Sequence, residues 1–168
     1  MATVTLHGTA FNTSGSLPNI GEKAPDFALT TKDLNTKKLE DYKGSKVVMN
    51  IFPSVDTGVC ATSVRTFNQE ASELENTKVL CISRDLPFAQ TRFCGAEGLD
   101  NVETLSDFKN GSFGKAYGVD MINGPMETLH SRAVVVLDEN GTIKYTEHIT
   151  EIAEEPNYKT ALEALLDD

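Results

Sequence analysis

The chain has 168 residues, 39% hydrophobic and 24% charged, proportions that suit one soluble globular domain spanning residues 1–168. A formal net charge of −10, with no basic stretch to neutralise phosphates, argues against a nucleic-acid partner. The opening MATVTLHGTAF has neither a basic start nor an apolar core, so neither a signal peptide nor a membrane span is expected.

In chain order, Ala2 to Leu6 alternates as a short strand would, and Asn12 to Ser16 reads as a turn, with a second extended piece near Ala10–Phe11 or Leu17 completing a hairpin. Phe27 and Leu29 alternate within Ala24 to Asp33, ahead of a polar turn. The buried-looking run Val47 to Phe52 is a central strand that stops at Pro53. From Cys60 to about Asn76 the apolar positions Cys60, Val64, Phe67, Ala71 and Leu74 recur at helical spacing, with Arg65, Gln69 and Glu73 on the opposite face. VLCIS, Val79 to Ser83, is apolar enough for an interior strand. Asp85 as cap and Pro87 just inside mark a helix to about Cys94, stopped by Gly95 and Gly98.

Val102 to Leu105 is a short strand, Ser112 to Tyr117 a short helix ended by Gly118, and Met121 to Ser131 a loop. Strands Ala133 to Asp138 and Thr142 to Ile149 flank Asn140-Gly141, a strong hairpin signal. Pro156 and Asn157 open a terminal helix reaching Leu165. This order implies an α/β fold, a mixed central sheet with helices on both faces.

Three cysteines, an odd number, fit a reducing compartment with working thiols better than a secreted disulfide framework, and the cytoplasm is the default. Cys81, in VLCIS, reads as a small buried hydrophobe. Cys60 stands at a helix start, where backbone N–H groups without intrahelical partners favour an anion, so its thiol is expected to ionise more readily than a free one. The same position also suits a plain core residue on the helix face. Cys94 lies near a helix end, where the carbonyl dipoles disfavour a thiolate. The two are 34 residues apart, unlike the Cys-x-x-Cys of dithiol exchange enzymes. No short Cys-x2–4-Cys pair occurs and His7, His130 and His148 are scattered, so no metal centre is expected; nor is there a phosphate loop, a dinucleotide fingerprint or a Gly-x-Ser-x-Gly elbow. Arg132, taken alone, reads as an ordinary surface arginine. Asp56 adjoins Cys60, where a carboxylate would disfavour the thiolate, and it is expected to point outward or cap the helix.

Pro53, Thr57 and Cys60 form Pro-x3-Thr-x2-Cys, the signature of peroxiredoxins. FPSVDTGVCATSVRTFN, CISRDLPFAQTRFCGAEGL and RAVVVLDENG resemble the bacterial thiol peroxidase subgroup over almost the whole chain. The resemblance implies a thioredoxin-like fold with an N-terminal β-hairpin, and reduction of hydroperoxides without metal or organic cofactor. Cys60 matches the peroxidatic cysteine, Cys94 the resolving cysteine of the same chain, Thr57 the threonine that hydrogen-bonds thiolate and peroxide, Pro53 the proline shielding the site, and Arg132 the arginine beside it. Thioredoxin as reductant and a homodimer are also implied. Joining Cys60 to Cys94 requires one of their helices to unwind, and Gly95 and Gly98 make the second the place to fray. Phe52, Phe88 and Phe93 are candidates for an apolar collar around an alkyl hydroperoxide, or plain core aromatics. Two other readings fit the residues: a thiol–disulfide oxidoreductase, which the missing Cys-x-x-Cys disfavours, and a redox-inert thioredoxin-like binding module.

Overall fold

The structure, a computed structural model, describes residues 2–166. Among the described residues, seven strands form one mixed sheet and two form a separate hairpin. The hairpin joins β1 (Thr3–Leu6) to β2 (Thr9–Asn12). Its turn is His7-Gly8, with φ of 51° and 86°, rather than the expected Asn12–Ser16 segment. Two successive positive φ values match the right-handed twist of the flanking strands, and the Asn12–Ser16 segment instead anchors the hairpin to the body: Ser14 N–H donates to Asp120 O at 2.7 Å.

The sheet contains β3 (Ala28–Thr30), β4 (Thr36–Lys38), β5 (Lys46–Ile51), β6 (Thr77–Ser83), β7 (Glu103–Ser106), β8 (Ala133–Leu137) and β9 (Ile143–His148), in the order β4-β3-β7-β6-β5-β8-β9. Pairs β5–β6 and β6–β7 are parallel and the others antiparallel. Strands β5 and β8 are buried nearly end to end, as central strands covered on both faces must be. Alternation sends Val48, Cys81, Val134 and Val136 to one face, under α1 (Gly58–Ala71), α2 (Pro87–Glu97) and α4 (Tyr158–Glu163). Met49, Ile51, Leu80, Ile82 and Val135 face the other way, onto Phe113 and Tyr117 of α3 (Ser112–Tyr117). Helices on both faces and the N-terminal hairpin agree with the sequence reading.

Boundaries differ in three instructive places. Helix α1 starts at Gly58 and ends at Ala71, five residues short of the expected end, because Asn76 takes φ 48° and Thr77 already belongs to β6. Helix α2 runs through Gly95 to Glu97 and stops only at Gly98, whose left-handed conformation (φ 66°) lets its N–H and that of Leu99 bond Cys94 O. Asp85 does not cap α2. Leu86 holds the cap position without a side-chain acceptor, and Pro87 at the first helical position needs none.

Strands β5, β6 and β7 all end at the same sheet edge, where antiparallel β8 begins. Pro53, Asp85, Asp107 and Arg132 therefore gather at one rim. No helix among the described residues is long and apolar enough to cross a membrane.

Candidate active site

Cys60 is the third residue of α1, one turn past the chain reversal that Pro53 begins. Thr57, extended at φ −101° and ψ 147°, is the residue before the helix, and the first internal bond runs from Ala61 N–H to Thr57 O at 2.9 Å. The amides of Gly58, Val59 and Cys60 thus lack intrahelical acceptors and converge on the first turn. The Thr57 hydroxyl does not cap the helix and does not reach the sulfur. It donates to Ser54 O at 3.0 Å. Pro53, just past the end of β5, is buried.

Arg132 stands immediately before β8 and is 1% exposed, so it is not the surface arginine that sequence alone suggests. Its Nε donates to Ile152 O at 2.8 Å and its Nη2 to Cys60 Sγ at 3.2 Å, while Nη1 has no partner among the described residues. A buried guanidinium without a carboxylate costs several kcal/mol unless something else holds the charge, roughly as for any isolated buried ion. No carboxylate among the described residues pairs with it, and its Nη2 donates instead to the Cys60 sulfur, a group able to carry a negative charge. The same donor serves an oxyanion forming next to that sulfur.

Asp56 points away from Cys60 and pairs with Arg92 on α2 at 2.9 Å, both side chains being more than half exposed. Cys60 itself is wholly buried, in one cluster with Phe52, Val55, Val64 and Phe93. Phe52 is fully buried; Phe93 is 7% exposed with the Arg65 guanidinium 5.8 Å from its ring centre; Phe88 projects into solvent at 66% exposure.

Cys94 is half-buried in the last turn of α2, and burial pushes its thiol up, with Lys32 opposing and Asp100 adding to the shift. It lines a cavity of about 510 Å³ together with Thr31, Lys32, Thr91, Leu99 and Thr104; Cys60 is not on its walls. Cys81 lies in β6 with burial pushing its thiol up to about 12, the hydrogen bond from Asn50 acting the other way. All three cysteines are free thiols, and Cys60 and Cys94 sit on different helices of one sheet face.

Three contributions escape sequence reading. The Ile152 carbonyl aims Arg132 and carries no side-chain signal at all. Behind Cys60, Ser63 Oγ donates to Cys60 O at 2.7 Å and receives Asn50 Nδ2 at 3.1 Å, a polar chain inside the core. Asp85 accepts from Ser54 Oγ at 2.7 Å and from Val55 N–H at 2.9 Å, so its carboxylate grips the loop ahead of Cys60. Away from the thiols, His130 Nε2 lies 2.9 Å from Asp107 Oδ2 and 3.6 Å from Asp120 Oδ1, a group of potential metal donors whose imidazole and Asp107 carboxylate are already hydrogen-bonded to each other. Asp107 also accepts the amides of Phe113 and Gly114, fixing α3 to the end of β7.

The redoxin family profile matches residues 19–162. A thiol peroxidase of Mycobacterium tuberculosis is 54% identical over 165 residues, covering 98% of this chain and 99% of that one. Among solved structures, a peroxiredoxin-like protein from Aquifex aeolicus superposes with a TM-score of 0.91 at 36% identity, covering 98% of this chain and 96% of its own. A thiol peroxidase from Chromobacterium violaceum shares the fold, with a TM-score of 0.89 at 21% identity over 96% of this chain and 93% of its own. With a thiol seated on a helix start under a buried arginine, and with relatives matching from end to end, the chain belongs to the redoxin family, among its thiol peroxidases.

Proposed function

We propose that this thiol-dependent peroxidase reduces hydroperoxides through Cys60, with Cys94 resolving the product within the same chain. The observation that carries the reading is the 3.2 Å contact from the Arg132 guanidinium to a sulfur in the first turn of α1. The Cys60 thiolate attacks the terminal oxygen of ROOH. The O–O bond breaks, and the leaving alkoxide takes a proton, giving Cys60–SOH and ROH, with water in place of ROH when the substrate is hydrogen peroxide. Arg132, the open amides of the first turn and the Thr57 hydroxyl, turned from Ser54 O toward the substrate, are the donors for the developing charge. Pro53 shields the site, and Phe52 and Phe93 provide the apolar wall on which an alkyl group packs.

Cys94–SH then attacks the sulfenic sulfur, releasing water and forming the Cys60–Cys94 disulfide. Burial pushes the Cys94 thiol up from its ordinary value. A dithiol reductant, which we take to be thioredoxin, accepts the disulfide by exchange and leaves both cysteines reduced. No metal or organic cofactor enters any of these steps. A single domain over residues 1–168, a homodimeric assembly and a cytoplasmic setting complete the reading.

Turnover with cumene hydroperoxide and thioredoxin tests it. Cys60→Ser abolishes turnover, and Cys94→Ser allows one equivalent of peroxide to react before stalling. Substantial residual turnover in the first variant, or normal cycling in the second, rejects the corresponding role.

A further inference from the structure

The loop between β5 and α1 is held from outside itself. Ser54 Oγ donates to Asp85 Oδ1 at 2.7 Å and accepts the Asp56 amide at 3.1 Å, and Val55 N–H donates to Asp85 Oδ2 at 2.9 Å. Three consecutive residues immediately before Thr57 therefore hang, directly or through Ser54, on one carboxylate. Val55 is 1% exposed and packs into the cluster that contains Cys60, so fixing its amide also fixes part of the wall around the sulfur.

Asp85 is in turn fixed from behind. Ser83 Oγ donates to its Oδ2 at 2.6 Å, Ser106 Oγ donates to its backbone carbonyl, and the buried Gln90 Nε2 donates both to Ser83 Oγ at 3.1 Å and to Leu105 O at 2.9 Å. Gln90 lies on α2 one turn before Cys94. The hydrogen-bonded set thus runs from the loop ahead of Cys60, through the end of β6, to the first half of α2 and β7. It leaves the Cys94–Gly98 end of α2 outside. A carboxylate bound by two hydroxyls and an amide makes charge-assisted bonds, about twice as strong as neutral ones, at a point where a shift of a few tenths of an ångström would move the helix start.

We propose that Asp85 is a positioning residue for the peroxide reaction: through Ser54 and Val55 it holds the Pro53–Thr57 loop in the arrangement in which Cys60, the first-turn amides and Arg132 meet. This rests on Cys60 being the reacting cysteine and Cys94 its resolving partner. The grip does not extend to the Cys94 end of α2, which unwinds to bring Cys94 to Cys60, so the later step does not depend on it. Loosening Asp85 consequently slows attack on peroxide and favours disulfide formation over a second attack. That second attack, Cys60–SOH plus ROOH giving Cys60–SO₂H plus ROH, needs the ordered loop just as the first does.

The test uses the full-length reduced protein with cumene hydroperoxide. Stopped flow gives the rate of the first reaction, and mass spectrometry gives the ratio of sulfinic acid to disulfide at a fixed peroxide excess. Asp85→Asn lowers the rate about tenfold, the loss of one charge-assisted bond, and Ser54→Ala, which keeps the carboxylate and its support, lowers it about threefold. Both lower the sulfinic fraction. A variant that is merely less stable loses active molecules without changing how the surviving sulfenic acid partitions. If both variants match the wild type, or if the rate rises, or if it falls with the partition unchanged, Asp85 is not a positioning residue. Cys60→Ser run in parallel separates that failure from a wrong choice of reacting cysteine, since its peroxide reaction must vanish whatever Asp85 does.

Discussion

Arg132 Nη2 stands 3.2 Å from Cys60 Sγ although the two residues are 72 positions apart, and Arg132 Nε is held at 2.8 Å by the carbonyl of Ile152. One end of the guanidinium is thus tied to the backbone and the other committed to sulfur, in a place closed to water. A fork with one prong anchored is preorganised, so little rearrangement remains when charge appears on the peroxide.

Replacing Arg132 by Met removes the donor while keeping much of the apolar stem. The second-order rate constant for cumene hydroperoxide falls by about 10²- to 10³-fold, the range seen for removing a transition-state donor. Thermal unfolding of the same variant shows no loss of stability, since a buried charge without a carboxylate partner is removed at the same time. A rate within a few-fold of wild type in stopped flow would count against the role of the guanidinium.

Arg65 on α1 bonds Glu97 in the final turn of α2, with Nε to Oε1 at 3.0 Å, close to the Cys94 end that must unwind. Both side chains are well exposed, so the pair contributes no more than about 1 kcal/mol to global stability. Its location gives it more influence on the local step. Glu97→Gln speeds Cys60–Cys94 disulfide formation by roughly two- to fivefold, in keeping with that energy, and leaves the peroxide reaction unchanged. Rapid acid quench followed by thiol counting measures it.

Cys81 is fully buried and its thiol is pushed up to about 12. With native protein at pH 8, iodoacetamide leaves Cys81 unmodified over the time in which Cys94 reacts, and labels it only after denaturation. Cys81→Ser leaves peroxidase turnover nearly unchanged. Prompt native labelling, read by peptide mass spectrometry, would reveal an opening of β6 that its central place in the sheet does not allow.

Burial lowers the affinity of His148 for a proton below its ordinary value of 6.5. The unfolded chain, free of that burial, binds the proton more readily, so the contribution of His148 to stability is complete above pH 6.5 and is lost as pH falls through its lower folded value. Urea unfolding between pH 7.5 and 5 therefore shows stability declining toward acid. His148→Gln flattens that slope. The same slope in the variant would place the proton uptake elsewhere.

The parts of this molecule legible in the sequence are those coded by adjacent residues. VVMNI and AVVVL announce buried central strands, Pro87 and Gly98 bracket α2, and Asn140-Gly141 marks the β8–β9 turn, which closes with Gly141 at φ 78°. Strand β4 escapes because Thr-Lys-Lys, mostly exposed at the sheet edge, offers no apolar alternation. Asp85 misleads for a different reason: an aspartate two residues before a helical proline has the composition of a cap, yet its carboxylate turns to Ser54 and Val55, about thirty residues away in the chain. The burial of Arg132 is invisible for the same reason, its partners being a distant thiol and a backbone carbonyl. Contacts set by topology rather than by neighbouring residues stay hidden until the strand order is known.

The most direct test is to locate the first oxidised sulfur. Cys94→Ser protein, with the resolving thiol removed, is treated with one equivalent of cumene hydroperoxide in the presence of dimedone, and its peptides are weighed. The adduct falls on Cys60 alone, near one per chain. An adduct on Cys81, or none on Cys60 while peroxide is consumed, would contradict the assignment of Cys60 as the reacting thiol.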